Sequence, residues 1–324
     1  MIFLGFDTSN YTTSAAAVIG GEYINLRSLL PVKQGERGLR QSDGVFHHTK
    51  NIGEIYDNLD IDFSQVCAVG VSTRPRNVSG SYMPVFLVGE AFGRGIAHSL
   101  GVPLYEFSHQ DGHIMAGIFS AHAEELLNGR FLSVHLSGGT TEILASEFDG
   151  GGFVNEIVGG TRDISAGQFV DRTGVYLGMR FPCGRELEAL ALGTLNSNNA
   201  GTLNQNKSGT LKLPVSEKDG YVNFSGVETK IKQLIGSADP QEIAAAVFEN
   251  IGKTLCRAIN SAICKTGLER ILIVGGVASN SILRERFKSG INGKVFFGSA
   301  ELSSDNAVGT ARLAEAAFLK QNRR

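Results

Sequence analysis

The first 28 residues, MIFLGFDTSNYTTSAAAVIGGEYINLRS, predict three strands joined by short turns. The runs at 2–7, 13–19 and 22–28 have strand character, and Gly20-Gly21 between the last two is typical of a hairpin turn. The turn between the first two strands, Asp7 to Thr12, carries more hydroxyl side chains than an ordinary hairpin needs. This stretch therefore predicts a small sheet with a polar turn of functional character.

The same order of features returns in the second half of the chain. Strand FLSVHL at 131–136 is followed by the turn SGGTT, the strand EILAS at 142–146 and a third strand near 153–158. Two such copies predict an α/β protein with the actin-like ATPase fold of sugar kinases and heat-shock ATPases, in which two similar αβ lobes surround a central cleft. The two turns would then hold nucleotide phosphates through backbone N–H groups. The sequence has neither a Walker loop nor a GxGxxG motif.

Helices and further strands complete both halves. The lobes are expected at 1–107 plus 296–324 and at 108–295. We expect strands at 66–72, 103–107 and 271–276, helices at about 45–59, 82–100, 165–178, 184–192, 226–236, 240–266 and 304–320, a helix from about 279, and polar loops at 33–44 and 193–210.

A histidine pair stands in SHQDGHIMAG at 108–117, where a helix is expected to begin. His109 and His113 are four residues apart, which places both imidazoles on one helix face, close enough to share a metal ion. The spacing alone also fits two unrelated polar residues, so both interpretations stay open. Gln110 occupies the position where a zinc peptidase needs a glutamate, which disfavours peptidase chemistry.

Composition narrows the possible classes of protein. The chain has 324 residues, of which 42% are hydrophobic, and a formal net charge of −2, so it lacks the broad positive field common in nucleic-acid binders. Its four cysteines show no CxxC spacing, which speaks against a disulfide scaffold or zinc ribbon. No apolar run approaches the ~20 residues of a membrane span, so we expect a soluble, cytoplasmic protein without membrane partners.

Several longer stretches carry a family resemblance that covers nearly the whole chain. The sequence resembles the TsaD family, the tRNA threonylcarbamoyladenosine transferases. The stretches that carry the resemblance are LGFDTSNYTTSAAAV, GVPLYEFSHQDGHI, LSGGTTEI, ISAGQFVDRTGVYLG with FPCG, NFSGVETK, ILIVGGVASN and SSDNAVGTA.

This resemblance implies a transferase that moves the threonylcarbamoyl group from threonylcarbamoyl-adenylate to N6 of the tRNA adenosine next to the anticodon. It implies one divalent metal, iron or zinc, on His109, His113 and Asp305. From the residues alone, Asp305 is interpreted as the cap of a helix, because acidic residues are favoured there. The family assigns no catalytic side chain beyond the metal site.

The resemblance also implies a site for an adenine nucleotide, either ATP, AMP or threonylcarbamoyl-adenylate. Taken singly, the glycines in this set could be turn residues, the glutamate a solvated helix residue and the asparagine an N-cap. The set comprises Leu136, Ser137, Gly138 and Gly139, Asp171 in VDRT, Gly184 in FPCG, Glu188, and Asn280 in GGVASN.

The sequence departs from the family pattern at four positions. Arg74 and Arg76 stand in STRPRN where relatives have a glycine-rich turn, Gln168 replaces an acidic residue, and Thr140 replaces a histidine. These changes leave open a divergent carbamoyltransferase, in which the arginines recognise an anionic small molecule as acceptor. They also leave open a non-catalytic paralogue that binds nucleotide or metal and acts through dimerisation.

Partners are implied in the same way. The resemblance implies tRNA, bound with the help of TsaB-like and TsaE-like proteins or of a homodimer.

Overall fold

The computed structural model describes residues 1–9, 11–31, 39–193 and 211–322. Residues 33–38 of the loop expected at 33–44 and residues 194–210 of the loop expected at 193–210 lie outside these ranges, whereas residues 41–44 already belong to a helix. The chain divides into two compact units. The first comprises Met1–Arg130, Ser146–Asn155 and Gly298–Arg324, and the second comprises Phe131–Ala145 and Glu156–Phe297.

The first unit contains a five-stranded sheet and helices on it. Its elements are β1 (Ile2–Asp7), β2 (Thr12–Ile19), β3 (Glu22–Leu29), α1 (Gln41–Asp57), β4 (Val66–Arg74), α2 (Phe86–Leu100), β5 (Leu104–Ser108), α3 (His109–Ser120) and, at the far end of the chain, α9 (Val308–Asn322). The strand order in the sheet is β3-β2-β1-β4-β5. Strands β1 to β3 are antiparallel, whereas β1, β4 and β5 are parallel.

Helices cover both faces of this sheet. Because side chains alternate along a strand, Leu4 and Phe6 of β1 face α1 and α2, whereas Phe3 faces α3 and α9. Helix α9 lies directly on the sheet backbone: a Cβ at Gly5 would lie 2.4 Å from the carbonyl oxygen of Ala307, and one at Gly70 would lie 2.6 Å from that of Thr310. These two glycines therefore fix the position of α9 and of the loop before it.

The second unit is built on a seven-stranded sheet. Its elements are β6 (Phe131–Leu136), β7 (Thr141–Phe148), β8 (Phe153–Thr161), α4 (Ala166–Tyr176), α5 (Gly184–Ala191), β9 (Glu217–Lys218), β10 (Tyr221–Val222), α6 (Ser225–Leu234), α7 (Pro240–Thr266), β11 (Arg270–Val274), α8 (Ser281–Gly290) and β12 (Lys294–Phe297). The strand order in the sheet is β12-β11-β6-β7-β8-β10-β9. Helix α7, the longest of the helices described in this unit, is capped by Asp239 at one end and by left-handed Gly267 at the other.

Sheet order repeats between the two units. In the first, β1 lies between β2 and β4, and in the second, β6 lies between β7 and β11, so β3-β2-β1-β4-β5 corresponds to β8-β7-β6-β11-β12. The short β9–β10 hairpin extends only the second sheet. The α/β class and the actin-like ATPase fold predicted from the sequence are therefore confirmed.

The two compact units divide the chain differently from the predicted lobes after residue 107. Helix α3 packs against α9, so residues up to Arg130 belong to the first unit. The tip of the β7–β8 hairpin, Ser146–Asn155, also belongs there. As a consequence, His109, His113 and Asp305, which the sequence divided between two lobes, all lie in one unit.

Candidate functional site

Helix α3 begins at the first histidine of the pair. Strand β5 ends at Ser108, whose hydroxyl accepts a hydrogen bond from the Asp111 N–H (3.1 Å), while the Asp111 carboxylate accepts one from the Ser108 N–H. This capping box starts the helix without an intervening loop. His109 and His113 therefore project from one face of the first turn.

Three side chains converge at this point. His113 Nε2 lies 3.0 Å from His109 Nε2 and 3.3 Å from Asp305 Oδ1, and His109 Nε2 lies 3.5 Å from the same oxygen. With metal–ligand bonds of about 2.0–2.2 Å, adjacent donors of one ion lie roughly 3.0–3.5 Å apart. Among the residues described, this is the one group of three or more His, Cys, Asp or Glu side chains with metal-like spacing. The donor set and its distances fit a single transition-metal ion.

A fourth residue, Asp7, contacts His109 on the Nδ1 side of its ring, away from the cluster at Nε2. It ends β1, is 1% exposed, and accepts a hydrogen bond from His109 Nδ1 at 2.9 Å. Burial by itself would lower the pKa of His109, but the carboxylates of Asp7 and Asp305 outweigh it and raise that pKa to about 10. Burial would likewise raise the pKa of Asp305, yet hydrogen bonds from both histidines hold it below its usual value.

Asp305 lies in a loop, and its interpretation as a helix cap is wrong. Helix α9 begins at Val308, whose N–H donates to Asn306 Oδ1 (3.0 Å), so Asn306 takes the capping role. The loop is held by Arg27 of β3, which donates to the Ser304 hydroxyl and to the Glu301 carbonyl. A braced loop thus presents the third ligand.

The hydroxyl groups of Thr8 and Ser9 in the first polar turn, and of Thr13 and Ser14 at the start of β2, are buried. The hydroxyl of Thr8 donates to the Val85 carbonyl and accepts from the Gly89 N–H, so it anchors the start of α2. Those of Ser9 and Ser14 donate to the side chain and the backbone of Asp7, and that of Thr13 pairs with His48. These described hydroxyls support the first unit, and the expectation that they hold phosphates finds no support in their contacts.

The turn after β4 also runs beside α3, because Gln110 N–H donates to the Pro75 carbonyl. Arg74 donates through Nε and Nη2 to Asn77 Oδ1 and through Nη1 to the Thr73 hydroxyl. The amide of Asn77 donates in turn to the Asp111 carboxylate (2.6 Å). The hydrogen bonds described for the Arg74 guanidinium thus all go to residues close to it in the sequence.

In the second unit, the SGGTT turn follows β6. The Ser137 hydroxyl accepts from the Thr140 N–H, and the Ser165 hydroxyl, at the N-cap of α4, donates to the Gly138 carbonyl (2.8 Å). Gly138 and Gly139 are exposed, and nothing lies within 4 Å of where their Cβ atoms would be. The turn thus leaves open backbone beside a helix N terminus, an arrangement that suits an anion.

Hydrogen bonds join the segments that carry the other predicted nucleotide-binding residues. Asp171 Oδ1 accepts from the Cys183 N–H (2.8 Å), which joins VDRT to the turn before Gly184, and burial raises the pKa of Asp171. Glu188 accepts from both the N–H and the hydroxyl of Ser281. Asn280 caps α8 by accepting from the Leu283 N–H, as its alternative interpretation proposed.

Strand order places the SGGTT turn beside the GGVASN segment. Parallel strands β6 and β11 are neighbours, and a Cβ at Gly275 would lie 2.3 Å from the Leu136 carbonyl oxygen. The turn after β6 and the GGVASN segment after β11 therefore share one edge of the sheet, the carboxyl edge where α/β folds bind ligands.

Sequence reasoning missed three supporting residues. Asp7 lies 102 residues from His109, and Ser165 and Ser281 belong to helix starts that carry no chemistry of their own. For Ser165 a signal existed, the S-x-x-Q capping box formed with Gln168. For Asp7 no local pattern points to the partner.

None of the helices in the described ranges combines the length with the hydropathy that a membrane crossing requires.

Solved structures show the same fold at low sequence identity. HypF of T. kodakarensis superposes with a TM-score of 0.53 at 14% identity over 99% of this chain, which spans 48% of the HypF chain. The ADPNP-bound activator of the 2-hydroxyisocaproyl-CoA dehydratase of Clostridium difficile gives a TM-score of 0.52 at 14% identity, covering 100% of this chain and 96% of that one. These similarities support the fold alone.

Sequence comparison identifies the family. The curated tRNA N6-adenosine threonylcarbamoyltransferase of Riemerella anatipestifer is 28% identical over 97% of this chain and 92% of its own length. The one of Thermus thermophilus is 33% identical over 73% of this chain and 67% of its own length. A family model described as "TsaD: tRNA N6-adenosine threonylcarbamoyltransferase" matches residues 46–312. With this match over most of its length and a histidine–aspartate cluster at HxxxH and SxDN, the chain belongs to the TsaD family.

Proposed function

We propose that this protein transfers the threonylcarbamoyl group from threonylcarbamoyl-adenylate to N6 of the tRNA adenosine next to the anticodon. The observation that carries the proposal is the convergence of His109, His113 and Asp305 in a chain of the TsaD family. Family membership supports a transferase that acts on tRNA. The cluster supports a metal centre of the kind such a transferase would use.

His109, His113 and Asp305 would hold one divalent ion. Two imidazoles and a carboxylate suit zinc and non-haem iron, and the set would leave coordination positions open for substrate. When bound, the metal supplies Lewis-acid polarisation of a carbamoyl or phosphate oxygen. The protein supplies partly buried, pre-positioned ligands, since Asp7 accepts a hydrogen bond from His109 and Arg27 braces the Asp305 loop.

The second unit would hold the adenylate, whether as ATP, AMP or threonylcarbamoyl-adenylate. Leu136, Ser137, Gly138 and Gly139 would offer backbone to the phosphate, because glycine allows close approach. The ribose and base would lie against Asp171, Gly184, Glu188 and Asn280, whose segments meet through the hydrogen bonds of Asp171 and Glu188.

The reaction needs no side-chain nucleophile. The N6 amine of the acceptor attacks the carbamoyl carbon, a C–N bond forms, the C–O bond of the mixed anhydride breaks, AMP leaves, and N6 loses a proton. Loop amides near Gly138 would stabilise negative charge that develops on the anhydride.

Three of the four departures from the family pattern have structural roles in this chain. Gln168 completes the capping box of α4, a position that glutamate or glutamine fills equally well. The backbone of Thr140 closes the turn with Ser137. The Arg74 guanidinium donates to Asn77 Oδ1. These contacts favour neither a different acceptor nor a non-catalytic paralogue.

The partners proposed here are those that the TsaD family implies, and the charge of the chain is consistent with them. With a net charge of −2, the protein would engage tRNA together with TsaB-like and TsaE-like proteins or as a homodimer, and a tRNA acceptor would place it in the cytoplasm.

Mass spectrometry of tRNA nucleosides tests the proposal. In a host whose own family copies have been removed, the parent gene should restore threonylcarbamoyladenosine and His113→Ala should not. His98→Ala, which changes an exposed histidine of α2, serves as the matched control and should restore it. Absence of the nucleoside in cells that express the parent together with its partner proteins would refute the proposed reaction.

A further inference from the structure

The carboxylate of Asp7 is divided between two tasks. Its Oδ1 accepts from the N–H of Ser9 (2.8 Å) and from the Ser9 hydroxyl, while its Oδ2 accepts from His109 Nδ1 (2.9 Å). The hydroxyl of Ser14 donates to the Asp7 carbonyl, so the backbone is held as well. With 1% of its surface exposed, the carboxylate has one orientation, directed at the histidine.

We propose that Asp7 is a positioning residue of the metal site, which keeps the His109 proton on Nδ1 and thereby presents the Nε2 lone pair to the ion. This inference rests on the proposed metal at His109, His113 and Asp305. A neutral imidazole carries one N–H, and a carboxylate beside Nδ1 fixes it there. The ring is further confined by Phe86, whose centroid lies 6.2 Å away.

The sequence pattern suggests a competing role for the same residue. As part of the polar turn between β1 and β2, Asp7 could instead hold the magnesium ion of a bound nucleotide. The contacts argue against that role, because the carboxylate is buried and both of its oxygens accept hydrogen bonds from protein groups. The neighbouring hydroxyl of Thr8 is likewise engaged by α2. If Asp7 positions His109, the affinity for Zn²⁺ depends on Asp7. If Asp7 instead holds magnesium, the affinity for Mg·ATP depends on it.

Asp7→Asn separates the roles sharply. The Ser9 donors would turn the amide oxygen toward themselves, so the NH₂ group would face His109 Nδ1. That nitrogen would then accept, the ring proton would move to Nε2, and the metal lone pair would be lost. An almost isosteric change should therefore weaken metal binding as much as Asp7→Ala does, by about 10- to 100-fold.

Competition of Zn²⁺ with a chromophoric chelator measures this affinity, and Co²⁺ spectra report ligand geometry. Thr8→Val is the matched control, because it alters the same turn and none of the contacts described above joins Thr8 to His109. This variant should bind Zn²⁺ within about twofold of the parent in the same chelator assay, whereas the Asp7 variants should bind it about 10- to 100-fold more weakly. Binding of Mg·ATP is followed in parallel and should be unchanged in Asp7→Asn. Circular dichroism verifies that each variant is folded.

Each outcome discriminates. Parent-like Zn²⁺ affinity in Asp7→Asn, or a loss of Mg·ATP binding alone, would overturn the inference. If the parent and His113→Ala bind Zn²⁺ equally, the proposed metal site itself fails, which is a different result. Nitrogen-15 spectra of histidine in the zinc-loaded parent give a test without any variant: His109 must appear as the Nδ1–H tautomer, and an Nε2–H signal would refute the role of Asp7.

Discussion

The backbone of Gly309 lies against that of Gly112, so closely that a Cβ at Gly309 would be 1.9 Å from the Gly112 carbonyl oxygen. Gly112 lies between the two histidines on α3, and Gly309 lies four residues after Asp305, near the start of α9. This helix contact therefore sets the distance between the imidazoles and the carboxylate.

Gly309→Ala should push α3 and α9 apart. We expect metal affinity to fall at least tenfold and unfolding free energy to drop by about 1–3 kcal/mol, as for an overpacked core. Metal titration and denaturant unfolding measure the two effects. Gly95→Ala in α2 is the control: nothing lies within 4 Å of its Cβ position, and it should stabilise by about 0.5–1 kcal/mol. Normal metal affinity in Gly309→Ala would show that the crossing does not set the ligand spacing.

His113→Ala should remove the bound metal and leave the fold intact, because alanine is compatible with the helix and two ligands hold an ion poorly. Elemental mass spectrometry of purified protein should find about one ion per chain in the parent and in His98→Ala, and far less in His113→Ala. Equal metal content in all three would contradict the assignment of the ligands.

The raised pKa of His109 predicts that metal binding releases a proton. In the metal-free protein that pKa is about 10, so the ring is charged at neutral pH and the ion must displace its Nε2 proton. Apparent metal affinity should rise with pH until about 10. Calorimetry in two buffers of different ionisation enthalpy measures the released proton, and no buffer dependence at pH 7 would contradict the prediction.

The raised pKa of His109 also makes the free energy of unfolding of the metal-free protein depend on pH. A group whose pKa is higher in the folded than in the unfolded protein stabilises the fold fully below its unfolded pKa, here ~6.5. This contribution to the free energy of unfolding is lost as the pH rises toward the folded pKa. Unfolding free energy of the metal-free parent should therefore decline from neutral pH to about pH 10, and His109→Ala should flatten that decline.

Asp171 combines a structural and a proposed binding role, and two variants distinguish them. Asp171→Asn keeps an oxygen for the Cys183 N–H, whereas Asp171→Ala leaves that donor unpaired at a cost of about 1–3 kcal/mol. Both variants should weaken AMP binding, measured by calorimetry, but only alanine should lower the melting temperature markedly. Parent-like AMP affinity in Asp171→Asn would show that the carboxylate charge plays no part.

The sequence predicts those parts of the fold that depend on local patterns. The Gly20-Gly21 hairpin and the repeated strand order are visible because turn chemistry and strand periodicity act over a few residues. Short elements such as β12, only four residues long, and the two-residue strands β9 and β10 give no such signal.

The residues of the candidate site likewise differ in whether the sequence alone reveals them. His109 and His113 are recognisable from their spacing, whereas Asp305 is recognisable only through the family motif. The partnership of Asp7 with His109 depends on tertiary packing, and so does the place of α3 in the first unit, which follows from the glycine contact with α9. No periodicity in the sequence encodes either.

The two polar turns occupy equivalent positions in the repeated sheet order but differ in their exposure to solvent. Thr8 and Ser9 are fully buried, whereas Gly138 and Gly139 are open to solvent. The buried side chains of the first turn support the first unit, whereas the second turn presents free backbone. Exchanging the two turns would leave the strand order intact but would deprive the first unit of this support and the second of its open loop, so the two turns are not interchangeable.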